Sequence, residues 1–577
     1  MLTVACQATG NKLSVHHLGD GQSLLKITEQ KKYILLPIEE ASPESRLSMV
    51  CDNEVIQTLN VRLAVTKTDY YVPIDLSGHR NISFNFHSVP DDAICWQDLK
   101  LSDNYDTVNK ESYRPAYHFS PSYGWMNDPN GMVYKNGEFH LFYQYNPYGS
   151  MWGNMHWGHA VSKNMIDWEE LPVALAPDGL GSIFSGSCVV DKKNTAGFGE
   201  GAIIAFYTSA GERQVQSMAY SQDNGRTFKK YERNPIITST VRDFRDPKVF
   251  WHPETDRWIM VIAASQEMQF YSSPNLREWT YESSFGHGEG NHDGVWECPD
   301  LIRLPIDGST QKKWVLLCNI NPGGPFGGSA TQYFIGEFNG KKFINDFPAT
   351  TKWMDWGKDH YATVTWSNAP DNRNIAIGWM SNWQYANQVP TTQYRSANTL
   401  PRDLSLYKVG KELYIRCAPA PEVTALRKKG LSEKNIRVNN SYNISSFLPQ
   451  DKKTYEIALS IKNESAEIIG WSLFNSKGEE IKMYYNLIDQ TFSMDRTKSG
   501  ITGFSEEFPT VTVAPIYKDA ELNLRIFVDN SSIEVFGNEG CFVMTNLVFP
   551  TEPYTRLSFY AKGGSYEISS LNVYPIK

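Results

Sequence analysis

The 577-residue chain is poor in cysteine, in excess charge, in long apolar runs and in helical periodicity, and each shortage removes a class of protein. Its eight cysteines (6, 51, 95, 188, 298, 318, 417, 541) are scattered and form no Cys-x-x-Cys pair. That excludes a disulfide scaffold, a zinc finger and a thioredoxin-like motif, and leaves the redox compartment open. Basic residues number 55 against 64 acidic, a net charge of −9 with no basic cluster able to track phosphates, which argues against nucleic-acid binding. No apolar run reaches the roughly 18 residues a membrane-spanning helix needs. The N-terminus lacks the charged start and full apolar stretch of an intact signal peptide. Its opening Leu2-Thr3-Val4-Ala5-Cys6 fits the trimmed end of a secretion or lipoprotein signal, with lipid attachment at Cys6, as well as it fits an ordinary first strand.

What the chain has in quantity is aromatics: 13 %, with 16 Trp, 31 Tyr and 28 Phe. Disorder is thereby excluded, since its signature is aromatic-poor and charge-rich. Short β-branched and aromatic runs punctuated by Gly, Pro, Asn and Asp dominate, as in residues 138–145 (EFHLFYQY), 202–208 (AIIAFYT) and 257–263 (RWIMVIA). An all-β fold follows. In the middle of the chain a strand ending in a small residue, a polar turn and an aromatic recur. The copies run from Ser162 to Trp168, from Ser221 through Asp223-Asn224-Gly225 to Phe228, from Ser272 to Trp279, and more weakly from Gly336 to Phe343. A repeat of 50–60 residues made of strand and turn predicts propeller blades, and about 300 residues of it makes five. The Ala418-Pro419-Ala420-Pro421 segment reads as a linker, and alternating strands beyond it, such as 524–536, predict a terminal β-sandwich. The predicted division is a β-rich accessory module at 1–112, a five-bladed propeller at 113–417 and a sandwich at 418–577.

Three acids sit in aromatic, Gly/Pro-rich settings: Asp128 in Trp125-Met126-Asn127-Asp128-Pro129-Asn130-Gly131, Asp246 in Phe244-Arg245-Asp246-Pro247, and Glu297 in Trp296-Glu297-Cys298-Pro299-Asp300. With Ser185 of Phe184-Ser185-Gly186 and Asp359 of Asp359-His360-Tyr361-Ala362, the clusters recur every 51 to 62 residues, in step with the blade repeat. If each opens the innermost strand of its blade, all five converge at one mouth of the central channel. Carboxylates held together raise one another's pKa, so one keeps its proton near neutral pH. One protonated and one ionised acid is what glycoside hydrolysis requires. A calcium site would also gather carboxylates, but Pro- and Trp-flanked single acids do not match a compact loop of oxygen ligands.

The ordered motifs at 125–131, 245–247 and 297–300 resemble glycoside hydrolase family 32, the β-fructofuranosidases. Supporting matches are Gln144 in Phe142-Tyr143-Gln144-Tyr145, Trp152 in the segment 151–159, Phe184-Ser185-Gly186, residues 359–362, Ile377-Gly378-Trp379-Met380, and Asp529 and Glu534 near the C-terminus. The resemblance covers roughly residues 113–577; the first 110 or so have no counterpart. It implies a retaining double displacement in which Asp128 is the nucleophile, Glu297 the acid and base, and Asp246 a stabiliser of the transition state that does not itself react, with nucleophile and acid about 5–5.5 Å apart. It further implies that Asn127, Gln144, Ser185 and Arg245 grip sugar hydroxyls, that Trp152, Phe184, Tyr361 and Trp379 form the apolar wall, and that no metal or cofactor is required. The expected substrate is a levan- or inulin-type fructan, cleaved from its end to release fructose outside the cytoplasm; endo-cleavage, sucrose cleavage and a defunct fructan-binding protein stand as alternatives. Blander readings apply to several residues. An Asp before Pro often only forms a turn; Trp152 and Trp379 could be core; His156 and His159 lack a third metal ligand; and Cys298 reads as a small buried neighbour below the acid rather than a nucleophile. Trp96 and several tyrosines leave open a carbohydrate-binding role for the N-terminal module.

Overall fold

The computed structural model describes residues 12–107, 111–449, 453–516 and 522–576; Cys6 lies outside the described residues. The fold is almost wholly β, with one short α-helix (Cys95–Asp98) among the described residues. At the N-terminus, a five-stranded sheet built on Gln22–Ile27, Ser45–Cys51 and Ser83–His87 faces a three-stranded sheet built on Tyr33–Ile38. Alternation sets the faces: Leu47, Met49, Phe84 and Phe86 point inward against Ile34, Leu36 and Val72, while their neighbours in sequence are wetter. Trp96 is part of this core, 5 % exposed, edge-on to Phe86 and donating its Nε1 proton to the Pro90 carbonyl.

Five further sheets follow, each an antiparallel run in chain order. Their innermost strands are β1 (Gly124–Lys135), β2 (Ser182–Asp191), β3 (Phe244–His252), β4 (Val295–Pro305) and β5 (Tyr361–Thr365). Each packs against the next and β5 packs back against β1, so the sheets close into a five-bladed propeller. Closure is stitched by backbone: Tyr394 and Arg395 pair in parallel with Gly124 and Trp125, and Ser367 bridges to Val133. Because every blade is sandwiched between two others, its middle strands are buried on both faces. Glu138–Asn146 and Lys312–Asn321 therefore read as continuous apolar runs rather than alternating ones.

The repeated turn ends the third strand of a blade. Ser162, Ser221 and Ser273 hydrogen-bond the side chain two residues on (Asn164, Asp223, Asn275), and Asn164 and Asn275 cap the backbone N–H groups that follow. The serine in register in the third blade is thus Ser273, one place beyond the expected Ser272. Ser272 points to the other face of its strand, where it bonds Glu282.

Two six-stranded sheets make the C-terminal sandwich, around a core that includes Ile457, Leu459, Trp471, Met483 and Ile526. It is fused to the propeller. Phe527, Phe536 and Val543 share one apolar cluster with Leu404, Ile415 and Val423 of the fifth blade and its exit. Through that contact runs a buried polar network. Arg402 donates to Asp355 (2.9 Å), Glu534 (2.7 Å) and Thr545, and His118 lies between Asp529 (2.7 Å) and Glu534 (2.9 Å). Asp359, two residues before Tyr361, belongs to the same junction: it accepts from Arg496, Tyr385 and the Leu547 N–H.

Candidate active site

Each innermost strand carries a break in its pairing register at the residues singled out by sequence. Pairing slips across 127–128 on β1, between Ile183 and Gly186 on β2, Arg245 and Lys248 on β3, Glu297 and Asp300 on β4, and Tyr361 and Val364 on β5. Asp246, Cys298 and Ala362 adopt left-handed backbone (φ 66°, 42° and 52°). A bulge with a residue at positive φ turns the strand and redirects side chains that the pleat would otherwise send into the blade. At Gly186 the strands run so close that a Cβ would fall 1.9 Å from the Phe206 carbonyl oxygen, so that position admits only glycine.

The side chains so redirected meet in one cavity of about 310 Å³ lined by Asn127, Asp128, Gln144, Trp152, Phe184, Ser185, Gln214, Asp243, Arg245, Asp246, Glu297, Asn321 and Trp383. Asp128 Oδ1 accepts from the Asn127 amide (3.0 Å); Oδ2 accepts from the Ser185 hydroxyl (2.6 Å) and the Cys298 thiol (3.4 Å). Asn127 is oriented by the Trp125 indole N–H (2.7 Å). Asp246 Oδ2 accepts from the Cys298 N–H (2.8 Å) and thiol (3.5 Å), so one cysteine joins the two aspartates from below. Glu297 Oε1 accepts from Arg245 through Nη2 (2.8 Å) and Nε (3.2 Å), and Oε2 accepts from the Tyr361 hydroxyl. Arg245 also donates to Asp243 (2.8 Å) and Gln214 (3.1 Å).

Burial, then the Glu297 carboxylate, pushes the Asp128 carboxyl above its ordinary range. Asp246 is pushed up to about 7, because burial and the charges of Glu297 and Asp128 outweigh the pull of Arg245. Arg245 stays charged: burial lowers it, but Glu297, Asp246 and Asp243 raise it further. Burial and the neighbouring Glu297 hold the Tyr361 hydroxyl well above its usual value, so it remains a donor. The Cys298 thiol is raised far above 9 by burial and then by the three carboxylates, so it carries its proton and is no nucleophile.

Two of the residues expected on the apolar wall lie behind it. Tyr361 (1 % exposed) and Trp379 (0 %) pack with Trp125 in a cluster beneath the cavity. Tyr361 reaches the site only through its hydroxyl; the indole at the surface is Trp383, stacked on Trp125 and tilted over Trp379. Trp379 alternates inward on a strand buried on both faces, whereas Trp383 lies in the loop that follows and is free to turn to the channel mouth. Trp152 (45 % exposed) and Phe184 meet edge-on at the rim. Sequence reasoning missed Gln214, Asp243, Asn321 and Trp383. Asp243 had a signal, two residues before Arg245 in the bend that leads into β3, where it accepts a hydrogen bond from Arg245; Gln214 and Asn321 had none. Elsewhere, His159 bonds His140 (3.1 Å) and His156 bonds the Asn154 carbonyl. Among the described residues no group of three His, Cys, Asp or Glu is arranged to hold a metal ion.

Three carboxyl groups, two of them (Asp128 and Asp246) raised by burial, around an aromatic-rimmed pocket at the mouth of a five-bladed propeller define a glycosidase-type site. Comparison with known proteins is in accord. Residues 118–417 match the family model "Glycosyl hydrolases family 32 N-terminal domain" and residues 422–575 match "Glycosyl hydrolases family 32 C terminal". The chain belongs to glycoside hydrolase family 32. Residues 19–117 match a separate model described as a domain of unknown function (DUF4980). The chain is 46 % identical over 479 residues to a levanase of Bacillus subtilis (strain 168), covering 81 % of this chain and 71 % of that one. It is 37 % identical over 519 residues to an extracellular exo-inulinase of Aspergillus awamori, with 82 % and 95 % covered. The crystal structure of the A. awamori exo-inulinase superposes with a TM-score of 0.77 over 82 % of this chain and 99 % of that one. A β-fructofuranosidase of Schwanniomyces occidentalis complexed with fructosyl-erythritol does so at 0.75 with 33 % identity, over 82 % and 99 %.

Proposed function

We propose that the protein is a retaining β-fructosidase that removes terminal fructose from levan- or inulin-type fructans. The observation that carries this is the unequal anchoring of three carboxylates in one cavity. Asp128 faces three donors, Asn127, Ser185 and Cys298, which favour its carboxylate against the burial and the Glu297 charge that raise it, and a carboxylate is the form a nucleophile needs. It attacks the anomeric C2 of the fructosyl unit as Glu297 gives its proton to the departing glycosidic oxygen, so the C2–O bond breaks and a C2–O(Asp128) ester forms. The charge then left on Glu297 is met by Arg245 and Tyr361. Glu297 next takes a proton from water, whose oxygen attacks C2 and releases Asp128. Asp246, which keeps a proton into the neutral range, can both donate to and accept from adjacent hydroxyls and grips the ring through the transition state. Asn127, Gln144, Ser185 and Arg245 supply further polar contacts, and Trp152, Phe184 and Trp383 the apolar wall.

The relatives' names, levanase and exo-inulinase, support a fructan substrate and end-wise cleavage, as does a cavity near the lower end of the about 300–1,000 Å³ usual for small-molecule sites. A polymeric substrate and relatives named extracellular favour action outside the cytoplasm; among the described residues no helix is long and apolar enough to cross a membrane. The test is product chromatography on levan, inulin and sucrose in parallel. Fructose alone from the first time point, released with retained anomeric configuration, is the expected result. A ladder of oligosaccharides would overturn end-wise action, and no product from any of the three would overturn the function.

A further inference from the structure

The N-terminal module does more than sit beside the propeller. The loop joining strands Glu138–Asn146 and His156–Ser162 of the first blade carries Trp152 at its centre, and on both sides of Trp152 it is built into the module. Before Trp152, the Tyr148 ring lies within the module's own apolar core, and its hydroxyl accepts from Gln57. Ser150, fully buried, donates its N–H to the Tyr70 hydroxyl (3.0 Å) and its Oγ proton to Glu40. Glu40 in turn holds Arg395 (3.0 Å), which ties down the same loop at the Ser150 carbonyl (2.9 Å). After Trp152, the Asn154 side chain pairs with the backbone of Asn60 on a module strand, accepting from its N–H (2.9 Å) and donating to its carbonyl (2.8 Å). Between these anchors Trp152 stands exposed at the cavity rim, edge-on to Phe184. Its own backbone N–H is held only by the Asn387 side chain (3.2 Å). The module's one tryptophan, Trp96, is buried in its core and presents no face to a sugar.

We propose that this domain of unknown function is a positioning element of the active site: it fixes the Trp152 loop, and Asn60, Tyr70 and Glu40 thereby set the affinity for fructan chains through Trp152. The inference rests on the proposed β-fructosidase function. A loop held by nine residues of turn alone would sample many states, whereas anchoring on both sides of one aromatic spends no binding energy on ordering it. Asn154 has φ 44°, which asparagine tolerates, so Asn154→Asp keeps the backbone while turning a donor against the Asn60 carbonyl into an acceptor.

The test uses the full chain with Asn154→Asp and, on the module side, Tyr70→Phe. Each is expected to raise KM for levan or inulin about fivefold or more with kcat within about twofold. In a Trp152→Ala background the same substitutions are expected to change KM less than about 1.5-fold, because their effect passes through that ring. A KM unchanged in both single variants, or effects of equal size with and without Trp152, would overturn the proposal; the second is what plain destabilisation gives. Hydrogen exchange decides independently of turnover. Asn154→Asp should speed exchange across residues 147–155 and leave the blade strands unchanged, and unaltered exchange there would overturn the proposal. If the wild-type protein releases no fructose, the functional reading fails while the exchange result still tells whether the module orders the loop.

Discussion

Two places in this molecule gather several charged groups in buried or half-buried positions, and they behave in opposite ways. At the junction of propeller and sandwich, Asp355 and Glu534 are wholly buried, yet both are held below their ordinary range; burial opposes their charge, and Arg402, with His118 for Glu534, overcomes it. His118 is raised to about 9, since its bonds to Asp529 and Glu534 outweigh burial. At the channel mouth, Asp246 is buried and Asp128 half-buried, and both are raised. Burial pushes in the same direction at both; the supply of cations differs. At the junction Arg402 and His118 sit among the acids, whereas at the mouth one guanidinium, Arg245, is shared by Glu297 and Asp243 and only neighbours Asp246. A cation-matched cluster holds domains together, and a cation-poor one holds reactive protons.

That contrast can be broken in order of expected size. Asp128→Asn should lower kcat by about 10⁴-fold or more while the thermal midpoint holds or rises, because it removes the proposed nucleophile and an unfavourable charge together. A fall in stability matching the loss of activity would erase the distinction between the regions. Arg402→Ala should do the reverse, destabilising by about 3–5 kcal/mol in denaturant titration by leaving buried Asp355 without its cation and Glu534 with His118 alone, with kcat of the folded enzyme nearly unchanged.

The third prediction concerns pH. Asp246 has its pKa raised on folding from 3.8 to about 7, so what it contributes to stability is fully present below about pH 4 and lost as pH rises through 7. Asp246→Asn should therefore stabilise the protein on the order of 2 kcal/mol at pH 8 and not at pH 4, besides abolishing most activity. At the junction the signs differ. The contribution of His118, raised from 6.5 to about 9, is present below pH 6.5 and lost as pH rises through 9, and that of Asp355 and Glu534 is lost as pH falls below the carboxylate range. Unfolding curves of wild type and His118→Gln should converge above pH 9; curves that stay parallel would show that His118 is neutral in the fold. The smallest effect is at Cys298. Cys298→Ala should change kcat/KM less than about tenfold, since the Cys298 N–H to Asp246 survives, and thiol reagents should leave the folded enzyme active because the sulfur is buried and protonated.

Much of this was legible in the chain. The blade repeat and the 51-to-62-residue spacing of Asp128, Ser185, Asp246, Glu297 and Asp359 are one-dimensional records of a ring, because each blade spends the same length of chain to return to the axis. Trp379 shows where such reading stops. A tryptophan in an apolar strand looks the same whether its face is turned to the sugar or to the core, and only the loop after it, carrying Trp383, reveals which. Ser272 and Ser273 differ by a single step of the pleat, which sequence spacing alone does not resolve.

By itself, then, the sequence determined the all-β class, the five-fold repeat, the sandwich and the carboxylates, because those follow from local periodicity and from motifs contiguous in the chain. The tertiary structure decided which carboxylates are raised and which are lowered, that Asp359 serves the sandwich junction, that Tyr361 reaches Glu297 through its hydroxyl from behind the wall, and that the N-terminal module holds the Trp152 loop through Glu40, Asn60 and Tyr70. Each of those depends on groups separated by tens to hundreds of residues, whose distance and shared burial set their electrostatics, and no local pattern encodes a distance.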